Sequence, residues 1–117
     1  MSEKHFQELR ENFYETVPQL NERVPDVMKA FGELSQASTA EGALSTKVKE
    51  LMAVAIAIAI RCEPCIAFHV HDALKAGATR QEIAETVAVA IGMGGGPSVA
   101  YGVQVMRAVD EYEKNNS

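Results

Sequence analysis

Positions 51–60 read LMAVAIAIAI, ten apolar residues without a break. A helical bilayer span needs about 20 such residues, so this run does not cross a membrane. With the preceding KVKEL it is also too long for an ordinary strand. Small and large side chains alternate within it, as they do in a buried strand. Alanine decides the matter, because it is the best helix former and is depleted in strands. The run is therefore predicted to be a helix that starts near Ser45, a hydroxyl residue suited to the N-cap. A helix that is apolar all round must be covered all round. A chain of 117 residues makes one domain, here residues 1–117, and buries roughly two-thirds of its unfolded surface. That leaves little bundle to enclose one helix, so part of this surface is expected to be buried between subunits.

The rest of the chain repeats apolar residues at helical spacing. Phe6, Leu9, Phe13 and Val17 give one helix, which Pro18 is expected to end or kink. Val24, Val27, Met28, Phe31 and Leu34 give a second, with Pro25 in its first turn. SQASTAEGALS reads as a loop. A fourth helix is predicted from about Cys62 to Lys75 or Ala76, with Pro64 in its first turn and Gly77 just past its end. Thr79 and Glu82 make a capping box for a fifth, carrying Ile83, Val87 and Ile91. GMGGGP at 92–97 breaks the pattern; it lacks the order of a phosphate-binding loop and follows no strand. Val99, Val103, Met106 and Val109 mark a sixth helix, and the polar tail EKNNS is expected to fray. The fold class is all-α, five to six helices and no strand.

Charge removes two classes of partner. The net charge is −5 and the 11 lysines and arginines are dispersed, so neither nucleic acid nor an anionic membrane surface is expected. The opening MSEKHFQELREN has no apolar stretch of a secretory signal, so a cytoplasmic setting is expected. In a reducing compartment a C-x-x-C pair more often serves catalysis or metal binding than stapling.

The chain has only two cysteines, both in RCEPCIAFHVHDALKAG at 61–77. On a helix advancing 100° per residue, Cys62, Cys65 and His69 share one stripe, whereas His71 points away. Unpaired N–H groups at a helix start favour a thiolate, and an imidazole four residues on can accept a thiol proton. The partner cysteine can turn a sulfenic acid into a disulfide. Arg61, beside Cys62, is a candidate for lowering a thiol pKa. Two other readings stand beside redox use. The cysteines could be small core residues, or Cys62, Cys65 and His69 could ligate zinc with a fourth ligand from another element or subunit. Glu50 is the last charge before the apolar run. A strictly antiparallel pairing of the third and fourth helices would set it nearer residues 72–75 than His69; a crossing angle would bring it to His69, where it could orient the ring.

The run Glu50, Cys62, Cys65, His69, Ala73, Gly77, with its flanks, resembles the AhpD-like, carboxymuconolactone decarboxylase family over roughly residues 20 to 108. The resemblance implies an all-α fold assembled as trimers or hexamers, and thiol-dependent hydroperoxide reduction in members that keep both cysteines. It implies that Cys65 attacks the peroxide, Cys62 resolves, and Glu50 and His69 relay the proton. No bound cofactor or metal is implied; an external electron donor is, either a dithiol reductant protein or a small dithiol. The chain departs from the family's peroxidases at Pro64, where they carry a histidine, so that auxiliary proton carrier is absent. Two alternatives accompany this reading: lactone decarboxylation, typical of members without the cysteine pair, and a non-catalytic oligomeric scaffold.

Overall fold

A computed structural model describes residues 2–115, which form six helices and no strand. They are α1 (His5–Arg23), α2 (Pro25–Thr39), α3 (Thr46–Ala59), α4 (Glu63–Lys75), α5 (Arg80–Gly94) and α6 (Gly96–Asn115). The apolar run is helical, as alanine content predicts, and Ser45 caps it by accepting from the Val48 N–H at 3.1 Å. Helix α3 packs on α4 and α5, and α6 closes the bundle against α4 and α5. Phe6, Val54, Ile58, Ile66, Ile83 and Val105 are wholly buried at the centre. Gly102 lets α6 approach α5 closely, since a Cβ there would collide with Val87. The capping box forms: Thr79 accepts from the Glu82 N–H at 3.1 Å, and Glu82 accepts from the Thr79 N–H at 2.9 Å.

Two expectations are corrected. Helix α1 does not end at Pro18 but runs through it to Arg23. This half of α1 is largely exposed, where the hydrogen bond that Pro18 cannot donate costs less than it would in a core. The loop predicted over 35–45 is shorter, because α2 continues to Thr39. The Ser38 and Thr39 hydroxyls donate back to the Ser35 carbonyl at 2.8 and 3.2 Å, so residues read as loop formers sit within a helical turn. Of the polar tail, Glu113 to Asn115 continue α6, and the last two positions lie outside the described residues.

The start of α1 is held from a distance. The Glu111 carboxylate, buried in α6, accepts from the backbone N–H of Phe6 at 2.9 Å and of Gln7 at 3.2 Å. These are donors that a helix start leaves open. Beside it the Tyr112 hydroxyl donates to the Ala67 carbonyl of α4 at 2.7 Å. Burial pushes this phenol far above its ordinary value, so it remains a donor.

Within one chain, α3 is not fully covered. Met52, Ile56 and Ile60 are exposed, and so are Val27, Phe31 and Leu34 on α2, which has no buried residue.

Candidate functional site

The site is built where α3 hands over to α4. After the C-cap Ile60, Arg61 takes a left-handed conformation with φ 58°. The Arg61 N–H donates to the Ile58 carbonyl at 3.2 Å and the Cys62 N–H to the Ala57 carbonyl at 3.0 Å. This pair of bonds satisfies the last carbonyls of α3 and reverses the chain within two residues. Cys62 becomes the N-cap of α4, and its sulfur accepts from the Cys65 N–H at 3.2 Å. Pro64 occupies the first turn, where a missing N–H costs nothing. Cys62 and Cys65 are joined by a disulfide with a Cα separation of 5.2 Å, and both are half-buried.

His69 lies one turn beyond Cys65, on its stripe. Its Nδ1 is 3.1 Å from Oε2 of Glu50, whose side chain is 6% exposed. The two helices therefore cross so that Glu50 meets His69 and still lies beside the register expected for antiparallel packing: Glu50, His69 and Asp72 place ligand atoms within 4.8 Å of one another. His71 faces away, with Nδ1 3.0 Å from Asp72 Oδ1 and its ring against Tyr112 at 5.3 Å.

The Glu50–His69 pair stands between two hollows. One, of about 420 Å³, is lined by Phe31, Leu34, Ile56, Ile60, Cys65 and His69, and is largely apolar. The other, of about 820 Å³, has a mixed lining that includes Lys47, Glu50, Asp72 and Lys75. The Lys47 ammonium donates to Glu82 Oε2 at 2.9 Å, which helps hold the Glu82 carboxyl below its ordinary value.

All four residues singled out in the sequence, Glu50, Cys62, Cys65 and His69, converge here. Sequence reasoning missed Asp72, although the spacing H-x-x-D at one helical turn was available. It missed the apolar wall from α2, which depends on tertiary packing alone. It also missed the link from His5 Nε2 to Glu63 Oε1, 2.8 Å long, which pins α1 to the residue after Cys62.

The bundle thus carries a disulfide-linked cysteine pair on a helix start, with buried Glu50 against the partly exposed His69 one turn away. Residues 25–108 match the carboxymuconolactone decarboxylase family, and the chain belongs to it. An uncharacterized protein of Cupriavidus necator is 41% identical over 91 residues, covering 78% of this chain and 80% of that one. A carboxymuconolactone decarboxylase family protein of Legionella pneumophila has a crystal structure that matches with a TM-score of 0.90 at 38% identity, covering 93% of this chain and 97% of that one. A Thermotoga maritima family member, for which a part in an antioxidative response has been suggested, matches with a TM-score of 0.71 at 32% identity, covering 90% and 95%. The AhpD-like resemblance expected from the Glu50 to Gly77 motif is thereby borne out.

Proposed function

We propose that the protein is a thiol–disulfide oxidoreductase that reduces hydroperoxides at Cys65, with Cys62 as the resolving thiol and an external dithiol as donor. The observation that carries this reading is the 3.1 Å contact between buried Glu50 and His69 Nδ1, with Cys65 lining the same apolar hollow as His69. A carboxylate on Nδ1 orients the ring and leaves Nε2 for the thiol proton. The Cys65 thiolate attacks the distal peroxide oxygen. The O–O bond breaks, and the alkoxide takes the proton held by His69 and leaves as an alcohol. The Cys62 sulfur then attacks the sulfenic acid; a disulfide forms and water leaves with the remaining proton. Dithiol exchange restores both thiols and oxidises the donor. With Pro64 in place of a histidine, His69 is the one imidazole on the stripe of the cysteines.

Assembly belongs to the same reading. The exposed residues Met52, Ile56 and Ile60 of α3 continue into Phe31 and Leu34 of α2 at the rim of the apolar hollow, so a homo-oligomer, trimer or hexamer, would cover it.

The first test is the intact mass of reduced, metal-free protein after one equivalent of hydrogen peroxide. Loss of two hydrogens per chain, restored by a dithiol, is expected. No loss, or slow over-oxidation of one cysteine, sinks the proposal. The relay is tested separately by alkylation rate against pH. Glu50→Gln and His69→Ala are each expected to raise the apparent thiol pKa by about one unit, a roughly tenfold loss of thiolate at neutral pH. An unchanged profile in both removes the relay.

A further inference from the structure

The one charged residue between the two cysteines, Glu63, is held from another helix. It lies in the first turn of α4, directly after Cys62, and its Oε1 is 2.8 Å from Nε2 of His5, the first residue of α1. Both side chains are partly buried, His5 at 27% exposed and Glu63 at 34%. The start of α1 is fixed independently of this contact. The His5 ring stands edge-on to Phe6 at 4.9 Å, and Phe6 is wholly buried. The Glu111 carboxylate of α6 holds the Phe6 and Gln7 amides, so His5 reaches Glu63 already positioned.

A carboxylate in the first turn favours the helix but opposes a thiolate beside it, because like charges repel. Glu63 stands in that relation to Cys62 and Cys65. His5 counters it. As a cation it cancels the carboxylate's charge. In either protonation state it holds the carboxylate toward α1, where it cannot turn across the start of α4. The other charged groups around the contact do not take this part. Arg61, before Cys62, is exposed. On α6, Glu111 is taken up by the two amides; at the start of α1, Glu8 accepts from the Ser2 hydroxyl at 3.2 Å. Lys4 precedes α1, and among the described residues the ion pair of Glu63 is with His5.

We propose that His5 is a positioning residue for the cysteine pair: by binding Glu63 it lowers the cost of a thiolate at the start of α4. The proposal rests on the thiol–disulfide reading above, but neither on the choice of oxidant nor on the Glu50–His69 relay.

The test follows alkylation of the reduced, full-length chain by iodoacetamide from pH 5 to pH 10. His5→Ala is expected to raise the apparent thiol pKa by about half a unit, roughly a threefold loss of thiolate below that pH. Glu63→Gln is expected to lower it by a similar amount. The His5→Ala, Glu63→Gln double variant is expected to match Glu63→Gln alone, because His5 then has no charge to offset. Hydrogen exchange at the Phe6 and Gln7 amides, which Glu111 holds, is expected to stay unchanged, showing that α1 remains docked. Unchanged profiles in both single variants overturn the proposal and leave disulfide formation by peroxide standing. A His5→Ala shift that persists in the Glu63→Gln background, with faster exchange of the two amides, overturns it as well, since the histidine would then act through the packing of α1. A wild-type chain that forms no disulfide with peroxide takes down the reading above and this proposal together.

Discussion

Helices α3 and α4 end in the same hydrogen-bonded turn, the first on arginine and the second on glycine. At the end of α4 the Gly77 N–H donates to Leu74 and the Ala78 N–H to Ala73, at 3.0 and 2.9 Å, with Gly77 at φ 98°. At the end of α3, Arg61 and Cys62 repeat these bonds to Ile58 and Ala57, but the left-handed position holds a side chain. Glycine takes that conformation without steric cost; other residues lose about 1–2 kcal/mol. Gly77 leads to the Thr79 capping box, a structural junction. Arg61 leads straight into Cys62. Strain of this kind persists where surrounding structure over-determines it, and such places gather at functional sites. The turn with the less favourable residue is the one that sets a cation directly before Cys62.

Three changes test that contrast. The largest effect is expected from Gly77→Ala, which adds the same strain at the second turn. It should cost about 1–2 kcal/mol in denaturant unfolding and leave thiol alkylation unchanged. An altered alkylation rate would show that the two ends of α4 are not independent. A smaller effect of opposite sign is expected from Arg61→Gly. Relief of the left-handed penalty, partly offset by glycine's added unfolded-state freedom, should stabilise by about 0.5–1 kcal/mol. Alkylation at neutral pH should slow in this variant, because the cation beside the N-cap thiol is gone. Faster alkylation, or a loss of stability, would mean that the arginine is there for packing.

The smallest effect concerns acid. The Glu82 carboxyl, exposed in the box after Gly77, is held below its ordinary value of 4.5, first by the Lys47 hydrogen bond and then by the Thr79 N–H. A carboxyl with a depressed folded value stabilises the fold above its unfolded value, and that contribution disappears as pH falls through the folded one. Melting temperatures taken from pH 6 to pH 3 should therefore fall less steeply in Lys47→Met than in the wild type. Parallel curves would show that the pair adds nothing.

The same contrast explains what the sequence disclosed. Ser45, Pro25, Thr79 with Glu82, and Gly77 act on neighbours within a few positions, and each was readable from its own residue type. Arg61 was not, because no local signal marks a non-glycine left-handed residue. Periodicity placed Cys62, Cys65 and His69 on one stripe, since that geometry belongs to a single helix. It did not settle Glu50, whose distance to His69 depends on how two helices cross. Pro18 misled for the converse reason: its local signal is a helix break, yet α1 runs through it along an exposed stretch. The α2 wall of the apolar hollow, and the reach of Glu111 across 105 residues to Phe6, arise only from the assembled fold.

That last contact gives the molecule its own clock. The Phe6 and Gln7 amides are locked by a carboxylate on the opposite end of the chain, not by a helical carbonyl. They can exchange with solvent only when α1 lifts from α6, an event distinct from fraying of either helix. Their exchange rates therefore read out how often the first helix undocks. Through His5 and Glu63, that undocking would also release the turn that carries Cys62.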